Sequence, residues 1–185
     1  MTRIHHSQSR WQNGFSLLEI LVAMVVLSIG LLGLAGLQAV SLNNNQIAYY
    51  RSIASQQAYD MADRMRANLA GVTTGRYNSL TATLPSNPSC ISAGCTVNQM
   101  ATTDHFQWLT NNAALLPNGS GRVCLATNSP VDTTYDTTTP CTNTCATADS
   151  TAAYNANLPY VIVVTWTEKN AAANVTQGFC TAFQP

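Results

Sequence analysis

From Phe15 to Val40 the chain is apolar almost without interruption, and Ser16, Glu19, Ser28 and Gln38 are the polar exceptions. About 20 helical residues cross the hydrocarbon core of a bilayer, so this run is long enough to span one. After Val40 the pattern turns amphipathic. Ile47, Tyr50, Ala54, Ala58, Met61, Met65 and Leu69 recur at steps of three and four, the period of one helix face. Asp60, Asp63, Arg64 and Arg66 fall mostly off that stripe. No Pro or Gly interrupts residues 37–70, and Gly71 and Gly75 mark a stop. Residues 15 to about 69 therefore predict one helix, about 80 Å long at the usual rise per residue. That is more than twice the apolar thickness of a bilayer, so the outer half must pack on something, with Met61, Met65 and Leu69 as core.

The remainder reads as a small α+β unit. Residues 71–103 are turn-rich and hold Pro85, Pro88 and Gly94. Asp104 to Leu116 predict a short helix capped by Thr102, Thr103 or Asp104, with Phe106, Leu109, Ala113 and Leu116 as its apolar stripe. The "PNGSG" at 117–121 is a turn, and "RVCLA" at 122–126 a strand. Residues 127–157 are mostly Thr, Asn, Ser and Asp, a long loop around Cys141 and Cys145. The β-branched and aromatic run 159–168 is the strongest strand. "NAAAN" turns it, and 175–183 pairs back. Three or so antiparallel strands result, and so small a sheet needs the long helix on one face for stability. Trp108, Tyr160 and Trp166 are core or half-buried.

Composition narrows the function classes. The 185 residues carry zero formal net charge, and only 9% are charged. The region after residue 76 holds two basic against five acidic side chains, which gives no support for a nucleic-acid groove. The six cysteines, Cys90, Cys95, Cys124, Cys141, Cys145 and Cys180, all lie in this polar part. An even set confined there reads as disulfides in an oxidising compartment. Their close pairs are spaced C-x4-C and C-x3-C with no nearby His, unlike a zinc knuckle, so no metal is expected. Which cysteine pairs with which stays open.

Catalytic chemistry is not visible. His5 and His6 sit near the amino terminus, which leaves His105 as a lone surface or partly buried histidine. No phosphate loop, dinucleotide fingerprint or nucleophile elbow occurs. Asp132, Asp136 and Asp149 lack calcium-loop spacing. The acceptor patterns at Asn118 and Asn174 are short enough to arise by chance. No cofactor and no enzymatic activity are expected.

Glu19 is the feature that an ordinary membrane anchor leaves unexplained. A secretory signal would have a shorter apolar region and a small-x-small cleavage site. A plain signal anchor fits the length, with Arg3 and Arg10 holding the short amino-terminal tail in the cytoplasm. Yet a carboxylate within a span costs about 2.5–3.5 kcal/mol at its centre and calls for a partner. Cutting between Gly14 and Phe15 would supply one: a new α-amino group four residues, about 6 Å along a helix, from Glu19. An amine of this chain or of a neighbour would then meet the acid in a low-dielectric setting, where opposite charges attract far more strongly than in water.

Here the sequence resembles a known family. The basic leader, Gly14, Phe15 and "SLLEILVAMVVLSIGLLGLAGLQ" resemble the amino-terminal signal of type IV pilins and pseudopilins. "IGLLGLAGLQA", the long helix after it and the "W…LLPNGSGRV" segment resemble PilV-type minor pilins. The resemblance implies leader cleavage after Gly14 by prepilin peptidase, N-methylation of Phe15 and an assembly role for Glu19. It implies a type IV pilin fold: a long amino-terminal helix on a small antiparallel sheet with disulfide-stapled loops. By that reading residues 1–14 are leader, 15–40 the membrane and filament-core half of the helix, 41–70 its amphipathic half and 71–185 the head. Partners would be other minor and major pilins, the inner-membrane assembly platform and the bilayer. The chain would sit in a bacterial inner membrane, head outside the cytoplasm, before entering a pilus. One departure is Gly36, where many major pilins have proline. Gly30, Gly33 and Gly36 instead make a three-residue repeat, and each weakens a helix by roughly 1 kcal/mol relative to Ala. The repeat reads either as a soft segment or as small-residue packing between helices. Two other readings remain: a pseudopilin of type II secretion, and a membrane-anchored periplasmic enzyme or binding domain.

Overall fold

The computed structural model describes residues 14–90, 94–126, 157–169 and 173–185. The chain divides into two units, Met1–Asn45 and Gln46–Pro185. Helix α1, Leu17–Ala67, runs 51 residues. In the first unit every described residue is exposed, and an 18-residue window of α1 reaches a mean hydropathy of 2.7. This helix is therefore long and apolar enough to cross a membrane.

In the second unit α1 buries Ala54, Ala58, Met61, Ala62 and Met65, with Ile47 and Tyr50 half-buried at the start of the same stripe. The expected continuation to Leu69 does not occur, and Leu69 is 52% exposed. Asn68 is the reason. Its backbone leaves helical geometry at φ −119°, and its side chain caps a new short helix, α2 (Leu69–Thr73), by accepting from the Gly71 N–H. The stripe loses its phase at that break. Gly75, at φ 75°, then turns the chain in a conformation that a side chain would disfavour.

Helix α3 covers Val97–Leu115, starting seven residues before the helix expected at Asp104. Thr96 is the actual cap. Its hydroxyl accepts from the Gln99 N–H while the Gln99 side chain returns to the Thr96 N–H, a complete capping box. Thr102, Thr103 and Asp104 therefore lie inside the helix. The buried face is also rotated from the expected stripe: Ala101, Asp104, His105, Trp108, Leu109 and Asn112 point inward, while Ala113 is exposed.

Four antiparallel strands make one sheet in the order β1 (Ser79–Leu80), β2 (Ser120–Leu125), β3 (Tyr160–Lys169) and β4 (Asn174–Phe183). The last three match the expected strands to within two residues. The two-residue β1, in the segment read as turns, pairs Ser79 with Cys124 and Leu80 with Val123. In β3, Tyr160, Ile162, Val164 and Trp166 join the main core, while Val161 and Val163 join a second buried cluster with Cys124, Ala126 and Cys180. Burial on both faces explains why β3 reads as a continuous apolar run rather than an alternating one. The main core combines these strand residues with the inward faces of α1 and α3, Val72 and Tyr77. Gly121 in β2 lies against α3: a Cβ there would run into the ring of Trp108. The turn at 117–120 is tied to the sheet by Thr167 N–H donating to Pro117 O at 2.8 Å. The architecture is the α+β arrangement expected from the sequence, a long amino-terminal helix and a small antiparallel sheet with at least one stapled loop. Most of the long Thr-rich loop (127–156) and of the β3–β4 turn (170–172) lies outside the described residues.

Candidate functional site

The amino-terminal segment is built around the start of α1. Gly14 lies in exposed, irregular chain before the helix. Among the described residues nothing lies within 4 Å of a Cβ built on it, so none of them requires glycine at this position. Phe15 follows, 80% exposed. Ser16 starts the helix: its carbonyl accepts from the N–H groups of Glu19 and Ile20 at 3.0 and 3.3 Å.

Glu19 is the acid of the first helical turn, where a negative charge interacts favourably with the helix dipole. It is exposed, and among the described residues no cation pairs with it. Phe15, Glu19, Ile20, Ala23, Met24 and Leu27 line one shallow groove along the helix surface. The structure thus brings Phe15 and Glu19 to one face, the placement that a four-residue spacing dictates. The leader residues before position 14, with Arg3, Arg10, His5 and His6, lie outside the described residues. Further along, added Cβ atoms at Gly30, Gly33 and Gly36 would also point into open space.

The cysteine candidates separate by location. Cys90 and Cys95 form a disulfide immediately before the Thr96 cap of α3. Cys124 and Cys180 are also disulfide-bonded and flank β3 on β2 and β4. Cys141 and Cys145 lie outside the described residues, as do Asp132, Asp136 and Asp149.

The second unit contains a buried polar cluster that periodicity did not reveal. Tyr77 donates to Asp104 Oδ2 at 2.6 Å and accepts from Asn68 Nδ2 at 3.0 Å. Arg64 binds Asp60 at 2.8 Å, Gln107 at 2.8 Å and stands 3.6 Å from Asp104 Oδ1. Burial raises the Asp104 carboxyl above its ordinary value, against the Tyr77 hydrogen bond and the Arg64 charge, which favour the anion. Burial, with the Asp104 hydrogen bond, also pushes the Tyr77 hydroxyl well up, so it remains a donor. His105 is buried rather than on the surface. Its Nε2 meets the Thr81 carbonyl at 2.8 Å, and desolvation lowers its pKa. No spacing rule in the sequence connects the Tyr, the Asp and the Arg of this cluster. These groups join α1, α3 and the segment before β1. Among the described residues no three potential metal ligands converge.

Two comparisons with protein families gave matches. Residues 12–35 match the family described as "Prokaryotic N-terminal methylation motif". Residues 36–106 match the family described as "Type IV pilin Tt1218". No curated protein and no solved structure matches the chain. The two matched stretches are contiguous, from the Gly14–Phe15 junction through the whole of α1 and into α3. The methylation motif implies processing by prepilin peptidase and other pilins as partners, and a pilin family points to a structural role in the pilus. With this amino terminus, this helix and this sheet, the chain is a type IV pilin-like protein.

Proposed function

We propose that the protein is a minor pilin of PilV type, which takes part in priming, assembly or modification of a type IV pilus. The observation that carries the proposal is that Phe15, just before α1, and Glu19, in its first turn, line one groove on an exposed apolar helix. Cleavage after Gly14 frees the α-amino group of Phe15, which is then methylated. The open space around Gly14 supports a role for this glycine in recognition by the peptidase rather than in folding. Before assembly, residues 15–40 span the inner membrane. Arg3 and Arg10 keep the leader on the cytoplasmic side and the cysteine-bearing head outside, in an oxidising compartment.

Assembly transfers the apolar helix from lipid into the helical core of a filament, with apolar contacts on both sides of the exchange. Hydrophobicity alone therefore gives little direction or register. Glu19 supplies both, by pairing with the amino terminus of a neighbouring subunit where water is excluded. Residues 41–70 continue the helix into the head, residues 71–185. Support for the PilV type comes from "IGLLGLAGLQA" and "LLPNGSGRV".

Amino-terminal sequencing and intact mass of the chain from membranes and from sheared pili test the reading. A mature start at methylated Phe15 in both fractions is expected. The same start in membranes alone would instead favour a type II secretion pseudopilin, and an uncut chain would favour an anchored periplasmic domain. Glu19→Ala should leave cleavage intact and lower recovery in sheared pili. Normal recovery would rule out the pairing mechanism.

A further inference from the structure

A cleft in the second unit has no part in the assembly reading. It has a volume of about 240 Å³ and is lined by Arg76, Leu80, Pro85, Asn98, Ala101, Thr102 and His105. Asn98, Ala101, Thr102 and His105 are spaced at i, i+3, i+4 and i+7, so one face of α3 forms the floor. Arg76, Leu80 and Pro85, from β1 and the chain on either side of it, form the wall. One bond ties the wall to the floor, from His105 Nε2 to the Thr81 carbonyl at 2.8 Å, while the Arg76 N–H closes a backbone turn on Gly71 O of α2 at 2.9 Å.

Its chemistry is one-sided. Among the described residues the lining has one guanidinium, an amide, a hydroxyl, an imidazole and three apolar side chains, and no carboxylate. Asp104, the nearest acid in sequence, is directed to Tyr77 and Arg64 instead. Among the described residues Arg76 makes no ion pair, although Arg64 and Arg66 each have a carboxylate partner. The Thr102 hydroxyl donates to the Asn98 carbonyl and His105 Nε2 meets the Thr81 carbonyl, so the guanidinium and the Asn98 amide, beside an apolar wall, are the groups that suit a planar anion with a short apolar body. Its fork matches a carboxylate in bidentate fashion. The volume is below that of usual drug-sized pockets, which limits the ligand to a small acid or the end of a chain.

We propose that this cleft binds a carboxylate group carrying a short apolar body, with Arg76 as its ion-pair partner. Two sources share that chemistry, a free small acid and the carboxyl terminus of a protein chain. The full chain in detergent micelles, labelled with ¹⁵N, would be titrated with sodium benzoate and with its neutral isostere benzamide. An acetylated alanine tripeptide would be titrated as the free acid and as the amide.

Saturable shifts at the amides of Ala101, Thr102 and His105 with an acid, and not with its amide, are expected. Arg76→Gln should weaken that binding about tenfold or more, the scale of a lost charge-assisted hydrogen bond. Arg76 is exposed, so the variant folds, and unchanged resonances elsewhere verify it. Tighter binding of the peptide acid assigns the source to a chain terminus, and tighter binding of benzoate to a small molecule. Absence of saturation by either acid, equal binding of the amides, or unchanged affinity in Arg76→Gln would each overturn the proposal.

Discussion

The two stretches of α1 on either side of residue 45 are continuous in backbone and opposite in what selects their side chains. Before it, Ile29, Leu32 and Leu37 are 67%, 79% and 70% exposed, and none of the described residues covers them. After it, Ala54, Ala58, Met61 and Met65 are fully buried. Apolar surface left open at this density is otherwise removed from water by a partner or a bilayer. The first stretch therefore answers to surroundings outside the chain, and its composition is nearly uniform around the helix. The second answers to one internal sheet and a second helix, so its apolar residues narrow to a stripe with alanines where packing is closest. Substitutions should follow the same division: processing and assembly should respond in the first stretch, head stability in the second.

The largest separation is expected at the start of α1. Gly14→Val has room in the structure and should leave unfolding of the head unchanged within about 0.5 kcal/mol. It should nevertheless abolish leader cleavage, read as the mass of the membrane-bound chain. Normal cleavage would remove the assignment of Gly14 to peptidase recognition. Next come paired truncations along the helix. Met61→Ala removes a fully buried side chain and should cost about 2–5 kcal/mol in urea unfolding. Leu27→Ala, at a residue 63% exposed, should leave the head within about 0.5 kcal/mol of wild type. Similar losses from the two would erase the distinction between the stretches.

A smaller effect is expected where α3 meets the sheet. Gly121→Ala places a methyl group against the Trp108 ring and should destabilise the head by about 1–3 kcal/mol through overpacking. The smallest concerns Asp104. Its carboxyl is raised above 3.8 in the folded chain, chiefly by desolvation, so the folded state holds that proton more tightly than the unfolded one. This contribution to stability is fully present at low pH and is lost as pH rises from about 3.8 through the folded value. Asp104→Asn should remove that downward component from stability measured against pH, and an unchanged profile would show that another group produces it.

Elements with a strong local signal agreed with the structure. The membrane-length run, the stripe from Ala54 to Met65 and the strand at 160–169 rest on hydrophobic period and residue type within a few turns, where intrinsic preference and burial point the same way. The amino end of α3 begins among turn residues, after Pro88 and Gly94, and its capping box of Thr96 and Gln99 sits upstream of the apolar stripe that starts at Phe106. Leu69 leaves the α1 stripe because Asn68 ends the helix through its own side chain, and periodicity carries no trace of such a break. β1 has two residues and exists only because Val123 and Cys124 lie beside it.

For the candidate site the division runs along the same physical line. That Phe15 and Glu19 share a helix face follows from four-residue spacing, and that residues 15–40 can span a bilayer follows from their length and hydropathy. Both are local properties, legible in the sequence alone. That Arg64 reaches Gln107, 43 residues away, and that Tyr77 holds Asp104, 27 residues away, depends on how distant segments pack. The same packing buries His105 and opens a cleft beside Arg76. Charged and polar side chains are placed by whichever partners offset their desolvation, and those partners are chosen by the assembled fold rather than by sequence neighbours.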